Sequence, residues 1–404
     1  MKVKIIPGKA SGRITAPPSK SMAHRLLISA AMADGISRIS GVSDCEDVRA
    51  TVDCLTALGI SIEFEGDTAI VHGKSPREYK PTRALSAGES GSTLRFMIPI
   101  ALISGNTAMF SGKSGLMSRP MSVYDDICRD RGLNFIQDGN TITVRGPITS
   151  GTFTVVGNIS SQFISGLLFA LPNLDGNSKI KLIPPVESRS YINMTISALE
   201  SFGIEIIWED DYTLLIPGGQ RFAPRNLAVE GDFSGSAFID ALALFGGDVK
   251  VDGLIDSSLQ GDKVYRKIYP KLSLGTPTVH IGDCPDLGPI LFAVAAAKCG
   301  GIFEGTKRLK IKESDRVLAM AEELRKFGTH LSIYEDKVVV YPAEFHAPTA
   351  PLSGHNDHRI VMALAVLLTI VGGEIEGAEA VKKSYPAFFD HLSSLGVEVI
   401  RYEA

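Results

Sequence analysis

ALESFGIEIIW, residues 198–208, packs three signals into one short run: the end of an amphipathic helix, a glycine at position 203, and the apolar alternation of a strand. Glycine suits the junction because it takes the left-handed conformation that closes a helix. The motif recurs as CLTALGISIEF (54–64), CRDRGLNFI (128–136), YPKLSLGTPTVHI (269–281), EELRKFGTHLSIY (322–334) and HLSSLGVEVI (391–400). The marker glycines Gly59, Gly132, Gly203, Gly275, Gly328 and Gly396 mostly lie roughly seventy residues apart, and the interval after Gly275 is shorter. That spacing predicts a repeat with one trimmed copy.

A second series interleaves with the first: SKSMAHRLLISAAMADGISRISG (19–41), ESGSTLRFMIPIALISGNTAMFSG (89–112) and SSQFISGLLFALPNLDGNSKIKLI (160–183), then FSGSAFIDALALFGGDVKVDG (233–253), DLGPILFAVAAAKCGGIFEG (286–305) and NDHRIVMALAVLLTIVGGEIEG (356–377). Each opens on small or polar residues, runs through a strongly apolar helix and turns into a short strand. A helix apolar nearly all round belongs in a core. Six copies exceed one core of usual size, so three and three are expected. The fold class is α/β, with a domain over 18–229 inserted into one built from 1–17 and 230–404. The crossings fall at the prolines 17–18 and near AVEGDFSG (228–235).

The 404 residues are 44% hydrophobic and 21% charged with a net charge of -4, which gives no support to a general nucleic-acid or membrane-surface binder. Any cation cluster must be local. Five scattered cysteines without a CxxC pair argue against a disulfide framework or structural zinc and for a reducing compartment, so a cytoplasmic protein is expected. MKVKIIPGK is too poor in apolar residues for a signal peptide. VMALAVLLTIV (361–371) is too short to span a bilayer and reads as a buried helix.

The helix openings carry the chemistry. PPSKSMAHR (17–25) places Lys20 and Ser21 in a first turn, with Arg25 a turn later and no acid among them. A helix N-terminus carries partial positive charge, so cations there are disfavoured unless an anion joins them. The other openings add Gly91, Ser92 and Arg95; Ser160, Ser161 and Gln162; Asp232; Asp286; and the run Asn356, Asp357, His358, Arg359. Connecting segments contribute Arg119, Ser188, Tyr191, Lys312, Glu313, Arg316 and Lys383. Buried helices packed in parallel would sum their dipoles and free N–H groups into an anion site, with arginine forks and lysine charges completing it. Glu313 and Asp286 are the acids best placed for proton transfer.

Plainer readings exist for each piece. Ser19 and Asp286 would serve as N-caps, Ser160–Ser161 as a cap and a spare hydroxyl, and His358 as an ordinary helix-start residue. Lys312, Glu313 and Arg316 would form a solvated i,i+3 and i,i+4 ion-pair set on one helix. What these readings miss is the accumulation of cations and hydroxyls at most tips. FSGKSG (110–115) imitates a P-loop, but Thr107 stands where the first glycine is required, and no helix is expected directly after Lys113. No HxH, HExxH or calcium-loop spacing points to a metal, and no GxSxG points to a serine nucleophile.

SKSMAHR, SGSTLR, MSRP, SSQF, ESRSY, EGD, KESDR, NDHR and KKSYP together, in order from residue 17 to about 390, resemble the 5-enolpyruvylshikimate-3-phosphate synthase family. The resemblance implies two pseudo-threefold domains of three repeats each, an inside-out α/β barrel architecture with the substrate cleft between the domains. It implies transfer of the enolpyruvyl group of phosphoenolpyruvate to the 5-hydroxyl of shikimate 3-phosphate, with release of phosphate, on the shikimate pathway to chorismate and aromatic amino acids. It places Lys20, Ser21, Arg25, Ser160, Ser161, Gln162, Ser188, Tyr191, Asp286 and Lys312 at shikimate 3-phosphate. Phosphoenolpyruvate would fall to Lys20, Gly91, Arg119, Gln162, Arg316, Arg359 and Lys383. Asp286 would act as base toward the hydroxyl and Glu313 as acid toward the methylene, with Lys20 assisting. No metal or cofactor, no nucleic acid and no membrane is implied, and a monomer is expected.

Two positions depart from the family pattern: Glu89 stands where many members have asparagine, and Arg308 where many have a polar amide. Two other readings compete. One is the sister transferase acting on UDP-N-acetylglucosamine, which commonly carries a reactive cysteine in a loop that here reads FSGKSGLMSRP. The other is a non-catalytic two-domain anion binder, in which Asp286 and Glu313 would be acids that oppose the ligand.

Overall fold

The computed structural model describes residues 1–402. The chain divides into two compact units, Lys20–Glu230 and Met1–Ser19 with Gly231–Ala404. The two passages of the chain run side by side where they meet: Pro18 bridges Gly231, and Asp232 N donates to Pro17 O at 2.7 Å.

One repeat explains the rest. In Lys20–Glu230 its middle copy runs strand Leu85–Ser86, buried helix Gly91–Ala101, strand Thr107–Ser111, amphipathic helix Ser122–Asp130 and hairpin Asn134–Asp138/Thr141–Arg145. Leu85–Ser86 lies parallel to Thr107–Ser111, which pairs antiparallel with Thr141–Arg145 in the register Ala108↔Val144 and Phe110↔Ile142. The third copy repeats this with Thr152–Val156, Ser178–Ile183, Thr213–Ile216 and Ile207–Trp208. The first copy takes its opening strand from the far end of the unit: Asn226–Ala228 runs parallel to Gly35–Ser40 with Leu227 opposite Ile39.

The other unit is permuted in the same way. Its last copy has Leu352–Ser353 and Gly373–Glu376, but its third strand is the N-terminal Lys2–Ile5, flanked by Val399–Tyr402. Its trimmed copy has only Ser11–Thr15 and Asp248–Asp252, parallel, with Ile14 opposite Val251. The sequence reading of YPKLSLGTPTVHI needs correction here. Thr278–His280 does not close its own repeat; it opens the next sheet, parallel to Gly301–Glu304. The hairpin is missing, which shortens the interval. The helix Tyr265–Leu274 carries Pro270, and Gly275 is extended with φ 179° rather than left-handed. The other five marker glycines are left-handed, between φ 65° and 99°.

Burial follows from composition. In Gly288–Ala297 (GPILFAVAAA) every residue but the last is buried, and His358–Val371 is buried from His358 to Thr369. These two helices and Phe233–Leu244 contact one another pairwise in the core of their unit. Burying each large apolar side chain contributes about 1.5–3 kcal/mol, so such helices lack an outer face to spare for charge. Most polar groups sit near the ends, with Asp240 in mid-helix, where it accepts from Tyr265 Oη, as one exception. Asp232 Oδ2 accepts from Gly235 N at 2.8 Å, Ser90 Oγ from Thr93 N at 3.2 Å, and Ser160 Oγ from Gln162 N at 3.3 Å. Among the described residues no helix is long and apolar enough to cross a membrane.

Close helix contact in Lys20–Glu230 depends on Gly166. A Cβ there would fall 2.2 Å from Tyr124 Oη and 2.4 Å from Arg95 O, and Tyr124 Oη itself donates to Arg95 O at 2.6 Å. Gly166→Ala is therefore expected to destabilise the protein by about 1–3 kcal/mol, read as a lower denaturation midpoint at unchanged slope. An unchanged midpoint would show that these helices are free to separate.

Candidate active site

In Lys20–Glu230 the helix tips gather polar groups on a buried foundation. Lys20, first in its helix, bonds Asp47 at 2.7 Å. Arg25, one turn on, is buried; its Nε donates to Thr195 Oγ1 at 2.9 Å, and its Nη groups donate to Ser21 O at 2.6 Å and Tyr191 O at 3.1 Å. Its guanidinium lies 5.2 Å from the Phe96 ring centroid and 6.0 Å from that of Tyr191. Burial pushes Arg25 down to about 10, which leaves it a cation at neutral pH. His24 lies between these cations and is fully buried, so burial, then Lys20 and Arg25, hold it well below its usual range and neutral. Its Nδ1 is 2.8 Å from Thr51 Oγ1, and a chain of hydroxyls continues to Thr93 and Ser90.

A second node centres on Gly91. Arg95 Nη1 donates to Gln162 Oε1 at 2.8 Å, and Gln162 Nε2 donates to Ser92 Oγ at 2.8 Å. A Cβ on Gly91 would stand 2.9 Å from Arg95 Nη1, 3.2 Å from Arg119 Nη1 and 3.5 Å from Gln162 Oε1. The bare glycine thus lets three polar side chains converge on a helix N-terminus. Ser160 caps the helix that Ser161 begins, and Ser161 is buried. Ser188 is buried and left-handed (φ 56°) just before the helix Arg189–Ser201 that carries Tyr191. Glu89 is engaged by Lys113, 2.8 Å away.

In the other unit, acids and bases interlock around Arg316. Its Nη1 donates to Asp286 Oδ1 at 2.8 Å and its Nε to Asp357 Oδ2 at 2.8 Å, and the residue is 2% exposed. Lys312 lies 3.4 Å from Asp286, and Arg359 lies 3.6 Å from it. Burial opposes the charged form of Asp286, yet Lys312, Arg359 and Arg316 together hold its carboxyl well below the usual carboxylate range. Burial, countered by Asp286 and aided by Arg308 and Arg316, pushes Lys312 down to about 8. His358 Nδ1 is 2.9 Å from Glu313 Oε2, and Lys383 Nζ donates to Asn356 O at 2.6 Å. Among the described residues no protein acceptor meets Arg359 Nε, Arg359 Nη1 or Arg119 Nε. Such buried donors suit an incoming anion.

Several plainer readings fail. Asp286 does not cap Gly288–Ala297; it sits in the turn Pro285–Leu287 and faces the cations. Lys312 and Glu313 precede the helix Arg316–Arg325, so no i,i+4 set exists on it. Contrary to expectation, a helical turn does follow Lys113, Ser114–Met117, though it is only one turn long. Sequence reasoning missed Asp47 and Asp262, and noted Arg308 only as a departure from the family pattern. Asp262 is buried, bonded by Ser234 Oγ, and pushed up to about 6 by burial and then by Asp286. Arg308 is also buried, and its Nη1 donates to Gly282 O at 3.3 Å. None has a local signal: Asp47 lies a whole helix away from Lys20 in the chain.

One potential metal grouping, Glu313, Asp357 and His358, has ligand atoms within 4.8 Å of one another. Asp357 already accepts from Arg316, Ser314 Oγ at 3.1 Å and Arg359 N at 2.9 Å. A further cation there would face the Arg316 charge, so this donor set suits the guanidinium rather than a metal.

Comparison with known proteins gives a consistent result. The family described as EPSP synthase (3-phosphoshikimate 1-carboxyvinyltransferase) matches residues 5–392. A 3-phosphoshikimate 1-carboxyvinyltransferase of Clostridium novyi (strain NT) is 38% identical over 98% of this chain and 97% of its own. That of Clostridium botulinum (strain Eklund 17B / Type B) is 37% identical over 97% of both. Among solved structures, an EPSP synthase from Acinetobacter baumannii superposes with a TM-score of 0.80 at 22% identity over 100% of both chains, a likeness of fold.

The buried pair at Asp357 makes a stability prediction. Burial opposes its ionisation, but Arg316 holds the carboxyl below the usual range. A depressed carboxylate contributes stability above its unfolded value and loses it as pH falls through the folded one. Asp357→Asn should cost about 3 kcal/mol at neutral pH, with the difference from the parent protein shrinking in acid. Denaturant titrations at several pH values check this; a pH-independent difference would contradict it.

Proposed function

The chain belongs to the EPSP synthase (3-phosphoshikimate 1-carboxyvinyltransferase) family, and on that premise we propose which of its residues hold and convert the two substrates. The reaction moves the enolpyruvyl group of phosphoenolpyruvate to the 5-hydroxyl of shikimate 3-phosphate and releases phosphate. Lys20, Ser21, Arg25, Ser160, Ser161, Gln162, Ser188 and Tyr191, with Asp286 and Lys312, bind shikimate 3-phosphate. Lys20, Gly91, Arg119, Gln162, Arg316, Arg359 and Lys383 bind phosphoenolpyruvate. Both ligands are anions, which resolves the cations at disfavoured helix tips. The reading carries with it a cytoplasmic monomer.

The observation that carries the catalytic assignment is the placing of acids among these cations. A carboxylate repels the anionic groups of both ligands, so a mere binder gains little from Glu313, and from Asp286 only a contact to the shikimate 3-phosphate hydroxyl. Proton transfer needs both. In the addition step the 5-hydroxyl oxygen bonds C2 of phosphoenolpyruvate, losing its proton to Asp286, while Glu313 delivers a proton to C3. Elimination returns a C3 proton to Glu313 as the C2–O bond to phosphate breaks, and the proton held by Asp286 leaves with the departing phosphate. His358, 2.9 Å from Glu313, orients that carboxyl.

Asp286 is a weak base while Lys312, Arg359 and Arg316 surround it. Phosphate and carboxylate groups arriving at those cations offset their field and raise its proton affinity, so the base strengthens as substrate binds. Lys312, already pushed down to about 8, is the second group suited to the hydroxyl proton. The fixed cations stabilise charge in place at the transferring phosphate.

The direct test is phosphate release from phosphoenolpyruvate with shikimate 3-phosphate or UDP-N-acetylglucosamine as acceptor, chelator present. Release only with shikimate 3-phosphate is expected; release only with the nucleotide sugar would overturn the acceptor. Glu313→Gln should lower kcat by about 100-fold or more at similar KM values. Gly91→Ala should raise KM for phosphoenolpyruvate, because its Cβ would displace Arg95 and Arg119, with kcat less affected. Unchanged kinetics in either variant would contradict its assigned role.

A further inference from the structure

The phosphoenolpyruvate cations assigned to this unit share one support, the turn Ser353–Asp357. Lys383 Nζ donates to the carbonyl of Asn356 at 2.6 Å. Arg316 Nε donates to Asp357 at 2.8 Å, and Asp357 Oδ1 accepts from the backbone of Arg359 at 2.9 Å. The turn is held in an unfavourable conformation: His355 (φ 47°) and Asn356 (φ 50°) are both left-handed without being glycine. Such residues persist only where surrounding contacts fix them.

Gly354 N donates to Glu376 O at 2.8 Å and His355 N to Ser353 Oγ at 3.2 Å, and the side-chain contacts come from Glu323, on the helix that Arg316 begins. Glu323 is fully buried. Its Oε2 accepts from Ser353 N at 3.0 Å, its Oε1 lies 2.9 Å from His355 Nε2, and Lys326 Nζ reaches both oxygens at 3.1 and 2.9 Å. A buried carboxylate is costly unless fully partnered, and here its partners are the two residues that shape the turn and one lysine. Glu322, Glu323 and His355 also have ligand atoms within 4.8 Å of one another. The Lys326 ammonium already takes the position of a cation beside Glu323, so the cluster is an ion-pair anchor rather than a metal site.

We propose that His355 and Glu323 form a positioning pair that sets the affinity for phosphoenolpyruvate, by fixing the Ser353–Asp357 turn on which Lys383, Arg316 and Arg359 depend. Neither residue touches the reacting atoms. The inference rests on the assignment of Lys383, Arg316 and Arg359 to phosphoenolpyruvate. It also brings pH dependence. The groups facing His355 are Glu323 and Glu322, which favour the imidazolium, and Lys326, which opposes it; the Glu323 bond, against burial, raises its proton affinity above the ordinary value. A raised value means the charge-assisted bond is complete at low pH and weakens as pH rises through the folded value.

The test is steady-state kinetics on the full chain from mildly acid to mildly alkaline pH, varying each substrate, for the parent, His355→Ala, His355→Gln and Lys383→Gln. Dividing the variant profiles by the parent's cancels the titration of phosphoenolpyruvate itself. His355→Ala should raise KM for phosphoenolpyruvate about fivefold at pH 6.5, leaving kcat and KM for shikimate 3-phosphate within about twofold. His355→Gln keeps a donor that does not titrate, so it should recover most of the loss, and its ratio to the parent should fall as pH rises. Equal losses in kcat and in both KM values, or a flat Gln ratio, would overturn the proposal. Lys383→Gln separates the two levels. If it raises KM for phosphoenolpyruvate while the His355 variants do not, only the positioning role fails; if it leaves that KM unchanged, the underlying assignment fails as well.

Discussion

A guanidinium buried between two carboxylates, Arg316 with Asp286 and Asp357, is the interaction that holds this unit's candidate site together. Removing such charges from water costs several kcal/mol each, and only close pairing offsets it. The pairing ties together three separate stretches of chain: the turn before Gly288–Ala297, the start of Arg316–Arg325 and the cap of His358–Val371. Lys312 and Arg359 reach Asp286 at longer range, with Arg359 donors to spare. On the proposed reading Arg316 both anchors the two acids and meets phosphoenolpyruvate, while Lys312 and Arg359 are the cations free to exchange a carboxylate for a substrate.

The repeat supplies the scaffold for this arrangement. A buried apolar helix carries most of its polar groups near its ends, and each copy delivers one such end. Three copies bring three ends together in the unit holding Asp286, where the core helices touch pairwise. The trimmed copy loses a hairpin at the sheet edge but keeps its buried helix, capped by Asp232. Its helix tip is therefore retained while the outer strands are dispensed with.

Much of this was legible in the sequence because it is periodic or local. The helix–glycine–strand motif exposed the repeats, whereas the absence of acids beside Lys20 held only along the chain, since Asp47 pairs with it at 2.7 Å. YPKLSLGTPTVHI misled because a helix followed by glycine and a β-branched run looks alike whether the strand closes one repeat or opens the next; only pairing with Gly301–Glu304 decides it. The i,i+4 reading of KIKESDR failed because the segment before Arg316 is not α-helical, its shape being dictated by Asp286 and Asp357 from elsewhere in the chain. Asp47, Asp262 and the Glu323–His355 pair were invisible for the same reason: their partners are set by the tertiary fold, and no spacing in the chain encodes them.

The central claim is that Asp286 occupies cations which bind substrate, and that it is there to move a proton. The measurement that tests this most directly is calorimetric binding of phosphoenolpyruvate, with shikimate 3-phosphate present, to Asp286→Asn, paired with its turnover. The account predicts binding as tight as the parent's or tighter, since a repelling carboxylate is gone, together with turnover lower by about 100-fold or more. Parent-like turnover, or binding lost in step with turnover, would contradict it.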